Sequence, residues 1–161
     1  ASRINIHRDT WGTNLYQQIN WWAPVSNVEE KNTMIFYPDY FDVPVKNTTS
    51  TWDLNIYLAN RKKGDFSYPS APQLKENLPS NIKKIPVTIK PGEILCFSGA
   101  HLHSSSKEKS ENTRISFEIR TICENDLNSS AQAPNVDCDL QWKFPKIFKK
   151  INDNSPLKIT S

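Results

Sequence analysis

The clearest pattern in the chain lies between residues 113 and 123, "TRISFEIRTIC". Strict alternation puts Ile115, Phe117, Ile119 and Thr121 on one face of a strand. Arg114, Ser116, Glu118 and Arg120 take the other. Residues 14–22, "NLYQQINWW", alternate less regularly. Leu15, Gln17, Ile19 and Trp21 would share one face, with Tyr16, Gln18, Asn20 and Trp22 opposite, and Ala23-Pro24 ends the run. Shorter strands are predicted over 34–37, 84–89 and 93–97. Pro86 lacks a donor and marks the 84–89 strand as an edge or a bulge. Pro91-Gly92 reads as a turn.

One segment has helical spacing instead. Over 51–62, Leu54, Tyr57 and Leu58 form a stripe, Ser50 is the expected cap with Asp53 as its capping-box partner, and Gly64 terminates. Residues 64–82 and 124–142 read as loops. Many short strands separated by turn signals predict an all-β sandwich or barrel with one inserted helix.

At 161 residues the chain is long enough for one domain with a real core. Twenty Lys and Arg against seventeen Asp and Glu leave a net charge of only +3, too balanced to argue for a nucleic-acid partner. No apolar run approaches the ~20 residues that span a bilayer, so no membrane segment is expected. No signal peptide opens the chain. Three cysteines, an odd and scattered set, argue against a disulfide framework and fit a reducing, cytoplasmic setting. Cys96 reads as a small core residue. Trp11, Trp21, Trp22 and Trp52 read as core or wall.

The chain has only three histidines. His7 stands in "HRDTW", two residues before Asp9, and His101 and His103 stand in "SGAHLHSS". Residues i and i+2 of an extended segment point the same way, so His7 and Asp9 can bind one ion. Two imidazoles and a carboxylate on one face of an ion leave adjacent positions open for a chelating 2-oxo acid and dioxygen. Spacing alone does not choose between His101 and His103, which share a face. Arg114 offers a bidentate fork for a distal carboxylate, and Ser116, two residues on, adds a hydroxyl. Gln18 and Asn20 are amides that could face the same cosubstrate.

The stretches "HRDTWGTNLYQQINWWAPV", "PGEILCFSGAHLHSS" and "NTRISFEIRTI" resemble the phytanoyl-CoA dioxygenase-like family of Fe(II)/2-oxoglutarate-dependent oxygenases. The ordered set His-x-Asp, Pro-Gly-Glu, Gly-x-x-x-His and Arg-x-Ser carries the resemblance, over about residues 5 to 123. It implies a double-stranded β-helix (jelly roll), with iron on His7, Asp9 and His103. It also implies that Arg114 binds the 2-oxoglutarate carboxylate, and the family's His-to-Arg spacing selects His103. Related halogenases carry a small residue in place of Asp9, so the resemblance implies hydroxylation of a small-molecule substrate by dioxygen.

The family has elements before its His-x-Asp that six residues cannot supply. The core is therefore expected over about 1–123, short of N-terminal elements, with a C-terminal extension over 124–161. An open sheet edge would then allow a homodimer. The competing readings are a cupin-like metal-binding or ligand-binding module and an inactive, truncated dioxygenase fragment. A cupin pairing of His101 and His103 with Glu108 or Glu111 leaves His7 unemployed.

Overall fold

The computed structural model describes residues 4–106 and 112–158, so Glu108 and Glu111 lie outside the described residues. The chain is β-rich. A helical turn α1 (Thr10–Thr13) precedes β1 (Ile19–Pro24), β2 (Met34–Phe36), helix α2 (Leu54–Lys62), β3 (Ile85–Pro86), β4 (Leu95–Ser98), β5 (His103–Ser105), β6 (Ser116–Thr121) and a short helix α3 (Glu124–Leu127). The strands form two antiparallel three-stranded sheets, ordered β4-β1-β6 and β3-β2-β5. Trp22 of β1 and Phe97 of β4 meet Met34 of β2 and Val87 in one buried cluster, so the two sheets share a core. A larger cluster joins Trp11, Tyr16, Tyr37, Val45 and Leu102 to Cys138 and Leu140.

Several local expectations change. The strand foreseen over 14–22 begins only at Ile19, because α1 ends on Asn14 in the left-handed region (φ 53°). The Asn14 amide donates to the carbonyls of Leu140 and Trp142, which fixes that reversal. Within the strand the parity is as expected: Asn20 and Trp22 are buried and Trp21 is exposed.

Helix α2 is capped by Asp53 rather than Ser50. Its carboxylate accepts from the amides of Asn55 and Ile56 at 2.6 and 3.2 Å, which starts the helix three residues late. Of the expected stripe, Leu54 is buried but Leu58 is exposed. Gly64 does terminate it, at φ 76°. Pro86 lies in β3, at the edge of its sheet. Cys96 is exposed, not core: it lies opposite Trp21 on the outward face of the sheet.

The orientation of β6 matters most for function. Its apolar residues Phe117 and Ile119, with Ile115 just before it, are exposed, and so are Glu118 and Arg120. Its polar face, Arg114, Ser116, Glu118 and Arg120, turns into a cavity. No helix among the described residues is long and apolar enough to cross a membrane.

Candidate metal centre

His7 and His103 lie ninety-six positions apart, yet their backbones form a reciprocal antiparallel pair. The His7 amide donates to the His103 carbonyl at 2.9 Å, and the His103 amide to the His7 carbonyl at 3.0 Å. Opposed residues of such a pair project to one side, and the two imidazoles sit 4.3 Å apart between ring centroids. Asp9, two residues past His7, points the same way. His7, Asp9 and His103 are all buried, and their potential ligand atoms lie within 4.8 Å of one another.

The tautomers suit a metal. His7 Nδ1 lies 2.8 Å from the Asn5 carbonyl, and His103 Nδ1 lies 2.9 Å from the His101 carbonyl. A carbonyl only accepts, so each Nδ1 carries the proton, and in the neutral ring each Nε2 keeps its lone pair. Both Nε2 atoms face Asp9, His7 at 3.5 Å from Oδ1 and His103 at 3.6 Å from Oδ2. Burial works against the Asp9 charge, but His103, His7 and Arg120 outweigh it and hold the carboxyl well below its usual range. Burial and the neighbouring His7 push His103 down to about 4, into the neutral form that a metal needs. Burial also works against charge on His7, yet its contact with Asp9 raises it on balance. Two neutral-capable imidazoles and an ionised carboxylate, with no fourth protein ligand among the described residues, fit a divalent ion that keeps open positions.

His101 is not part of this group. Its ring packs on Phe41, 4.6 Å between centroids, and only its carbonyl serves the centre, by orienting His103. Gln18 and Asn20, expected at the cosubstrate, are fully buried behind Asp9. The Gln18 amide donates to the Asn20 carbonyl oxygen at 2.8 Å, and the Asn20 amide donates to Asp9 Oδ2. Gly99, the glycine of the Gly-x-x-x-His motif, closes this stack. A Cβ there would stand 2.8 Å from Gln18 Nε2 and 3.4 Å from the Asp9 Cβ.

The centre opens into a cavity of about 230 Å³ whose lining includes His7, Asp9, His103, Trp22, Arg114, Ser116, Glu118 and Arg120. Arg114 is half-buried, with its guanidinium 5.4 Å over the Trp22 ring. Arg114 forms no ion pair among the described residues, whereas Arg120 is held by Asp9 and Glu118. Six residues along one strand face, roughly 20 Å of chain, separate Arg120 at the metal end from Arg114.

Three further residues escape the sequence reading. Arg8, between the two ligands of the His-x-Asp pair, is buried and points away from the centre. Its guanidinium donates to the carbonyls of Tyr40, Phe41, Val43 and Ala100 and to Asp137. Asp137 also accepts from the Trp11 indole at 2.7 Å. This buckle ties three segments, around residues 40–43, 100 and 137, to the ligand loop. Asp137 has no local sequence signal, being 129 positions from Arg8. Arg120 does have one: it shares the parity of Arg114 on the best-patterned strand.

Comparison with family models and with curated proteins finds no match to this chain.

Proposed function

We propose that this chain is an Fe(II)- and 2-oxoglutarate-dependent oxygenase. It would oxidise a small organic molecule, most simply by hydroxylation, with release of succinate and carbon dioxide. The observation that carries the reading is the shared cavity: a buried His-Asp-His group and an arginine with no acidic partner among the described residues line the same small space. The residue order His-x-Asp, Gly-x-x-x-His, Arg-x-Ser and the two antiparallel sheets agree with a double-stranded β-helix of the phytanoyl-CoA dioxygenase-like kind.

In this reading His7, Asp9 and His103 hold the iron. Iron, when bound, supplies the oxidising chemistry with dioxygen and the 2-oxo acid. The chain's own residues supply placement. Arg114 receives the distal carboxylate of 2-oxoglutarate in a fork of donors, and its stacking on Trp22 limits where that fork can go. Ser116, on the same face and lining the same cavity, adds a hydroxyl donor. Asn5 and His101 carbonyls fix the imidazole tautomers, and Gln18 and Asn20 fix the carboxylate. Trp22 and Met34, both buried, give the cavity an apolar wall that restricts water. Asp9 fills the place that a halide would need, so halogenation is disfavoured.

The test is turnover. Purified protein with Fe(II), 2-oxoglutarate and dioxygen should form succinate, slowly without a second substrate and faster with a correct one. His103→Ala should abolish it. A wild type that binds iron but never yields succinate would contradict the oxygenase reading and leave a metal-binding module.

A further inference from the structure

The cross-strand partner of Asn20 is Arg120. Directly opposed residues of an antiparallel pair share a face, and these two close on one target from adjacent strands. Asn20 of β1 donates to Asp9 Oδ2, and Arg120 of β6 donates to Asp9 Oδ1 at 2.8 Å. Arg120 is held from its other side by Glu118, Nε to Oε1 at 2.8 Å. The two oxygens of Asp9 therefore have unlike neighbours: Oδ2 meets a neutral amide, and Oδ1 meets a cation that Glu118 holds although its side chain is 40% exposed.

We infer that Arg120 is a positioning residue that keeps Asp9 a one-oxygen ligand of the metal. The inference rests on the metal-binding part of the function proposed above and not on its oxygenase part. The charge difference decides which oxygen is free. A dication shares an oxygen with a neutral N–H at modest cost, but an oxygen already paired with a guanidinium sets two cations against each other. Each oxygen faces one imidazole, Oδ1 that of His7 and Oδ2 that of His103, so the guanidinium contact decides, and Oδ2 is the oxygen left for the ion. A carboxylate has lone pairs enough to bind through both oxygens. If Oδ1 were released, it would take one of the open positions that a chelating cosubstrate needs. Glu118 keeps the arginine extended towards Asp9 and balances its charge, so Arg120 is not available as an anchor for an anionic substrate.

The test counts open positions with Mn(II) alone, an ion that favours six ligands. Three protein ligands leave three for water. Water-proton relaxation per bound Mn(II) should fall by about one third in Arg120→Met, where Asp9 gains its second contact, and Arg120→Lys should restore it. The affinity for Mn(II) should not fall, since a gained contact and the removal of a nearby cation offset the lost positioning group. Arg120→Gln serves if the methionine variant does not fold. Equal relaxation in wild type and in both uncharged variants would overturn the inference. So would a loss of Mn(II) affinity in step with thermal stability, the mark of a merely structural arginine. A wild type that binds no Mn(II) removes both this inference and the metal site. A wild type that shows the predicted difference yet forms no succinate sinks only the oxygenase reading.

Discussion

Replacing Asp137 with alanine strikes the protein where it is most tightly built. The Arg8 and Asp137 side chains are only 2% and 4% exposed. Deleting the carboxylate leaves Arg8 a buried cation with four carbonyl partners and no counter-charge. Removing one member of a buried pair costs about 3–5 kcal/mol. The Trp11 indole and the Val45 amide lose an acceptor as well, at ~1–3 kcal/mol for each buried donor left unmet. These terms overlap, and a loss of about 5 kcal/mol is a fair centre. For a chain of this size each kcal/mol is worth roughly 2–4 °C, so the melting temperature should fall on the order of 10–20 °C.

Asp137→Asn keeps an oxygen for one donor and drops the charge, so it should fall between wild type and alanine. Thermal unfolding followed by circular dichroism or calorimetry gives both numbers. If Asp137→Ala melts within about 2 °C of wild type, the buckle is not what anchors the ligand loop, and the structural reasoning behind His7 and Asp9 fails with it.

Other substitutions and conditions probe the centre. Gly99→Ala should push the Gln18 amide off its place and loosen Asn20 and Asp9 in turn. Metal affinity should fall about 10–100-fold by calorimetric titration, as for other outer partners of metal ligands, with a smaller change in melting temperature. Metal binding should weaken as the solution is acidified. His7, raised above 6.5 by Asp9, holds a proton that the ion must displace, and affinity should drop about tenfold per pH unit below the His7 value.

The metal-free protein should show two opposite slopes. The His103 imidazole, lowered from 6.5 to about 4, refuses a proton that the unfolded chain accepts, so its contribution to stability is lost as pH falls from 6.5 towards 4. The raised His7 contributes fully below 6.5 and loses that contribution as pH rises through its folded value. Denaturant unfolding of wild type and His103→Gln across this range separates them. A variant that keeps the wild-type acid slope would contradict the assignment to His103.

How far the sequence reaches depends on the range of the interaction. Alternation around β6 is a property of neighbouring residues, and it puts Arg114, Ser116 and Arg120 on one face, which lines the cavity. His-x-Asp is equally local, and its two side chains do project together. Strand β5 is only three residues long, directly after a turn, so no period marks it. The pairing of His7 with His103 depends on that strand and on the resemblance, not on pattern alone. The cap of α2 is decided by competition between two good cap residues three positions apart, and Asp53 wins with two donors. Gln18 and Asn20 have the right face but the wrong target, because only the fold shows that Asp9 lies against them. Asp137 is beyond any sequence argument: an acidic residue in a loop becomes buried only because Arg8 is waiting there.

If the proposed function holds, the metal group and Arg114 grip two ends of one ligand. Anaerobic visible titration of the Fe(II) protein with 2-oxoglutarate and with pyruvate, a 2-oxo acid without a distal carboxylate, tests it most directly. Wild type should saturate at one 2-oxoglutarate per iron. Arg114→Met should weaken 2-oxoglutarate by at least about tenfold, in line with loss of a charge-assisted hydrogen bond, and leave pyruvate unchanged. Equal 2-oxoglutarate affinity in the two proteins would contradict the claim.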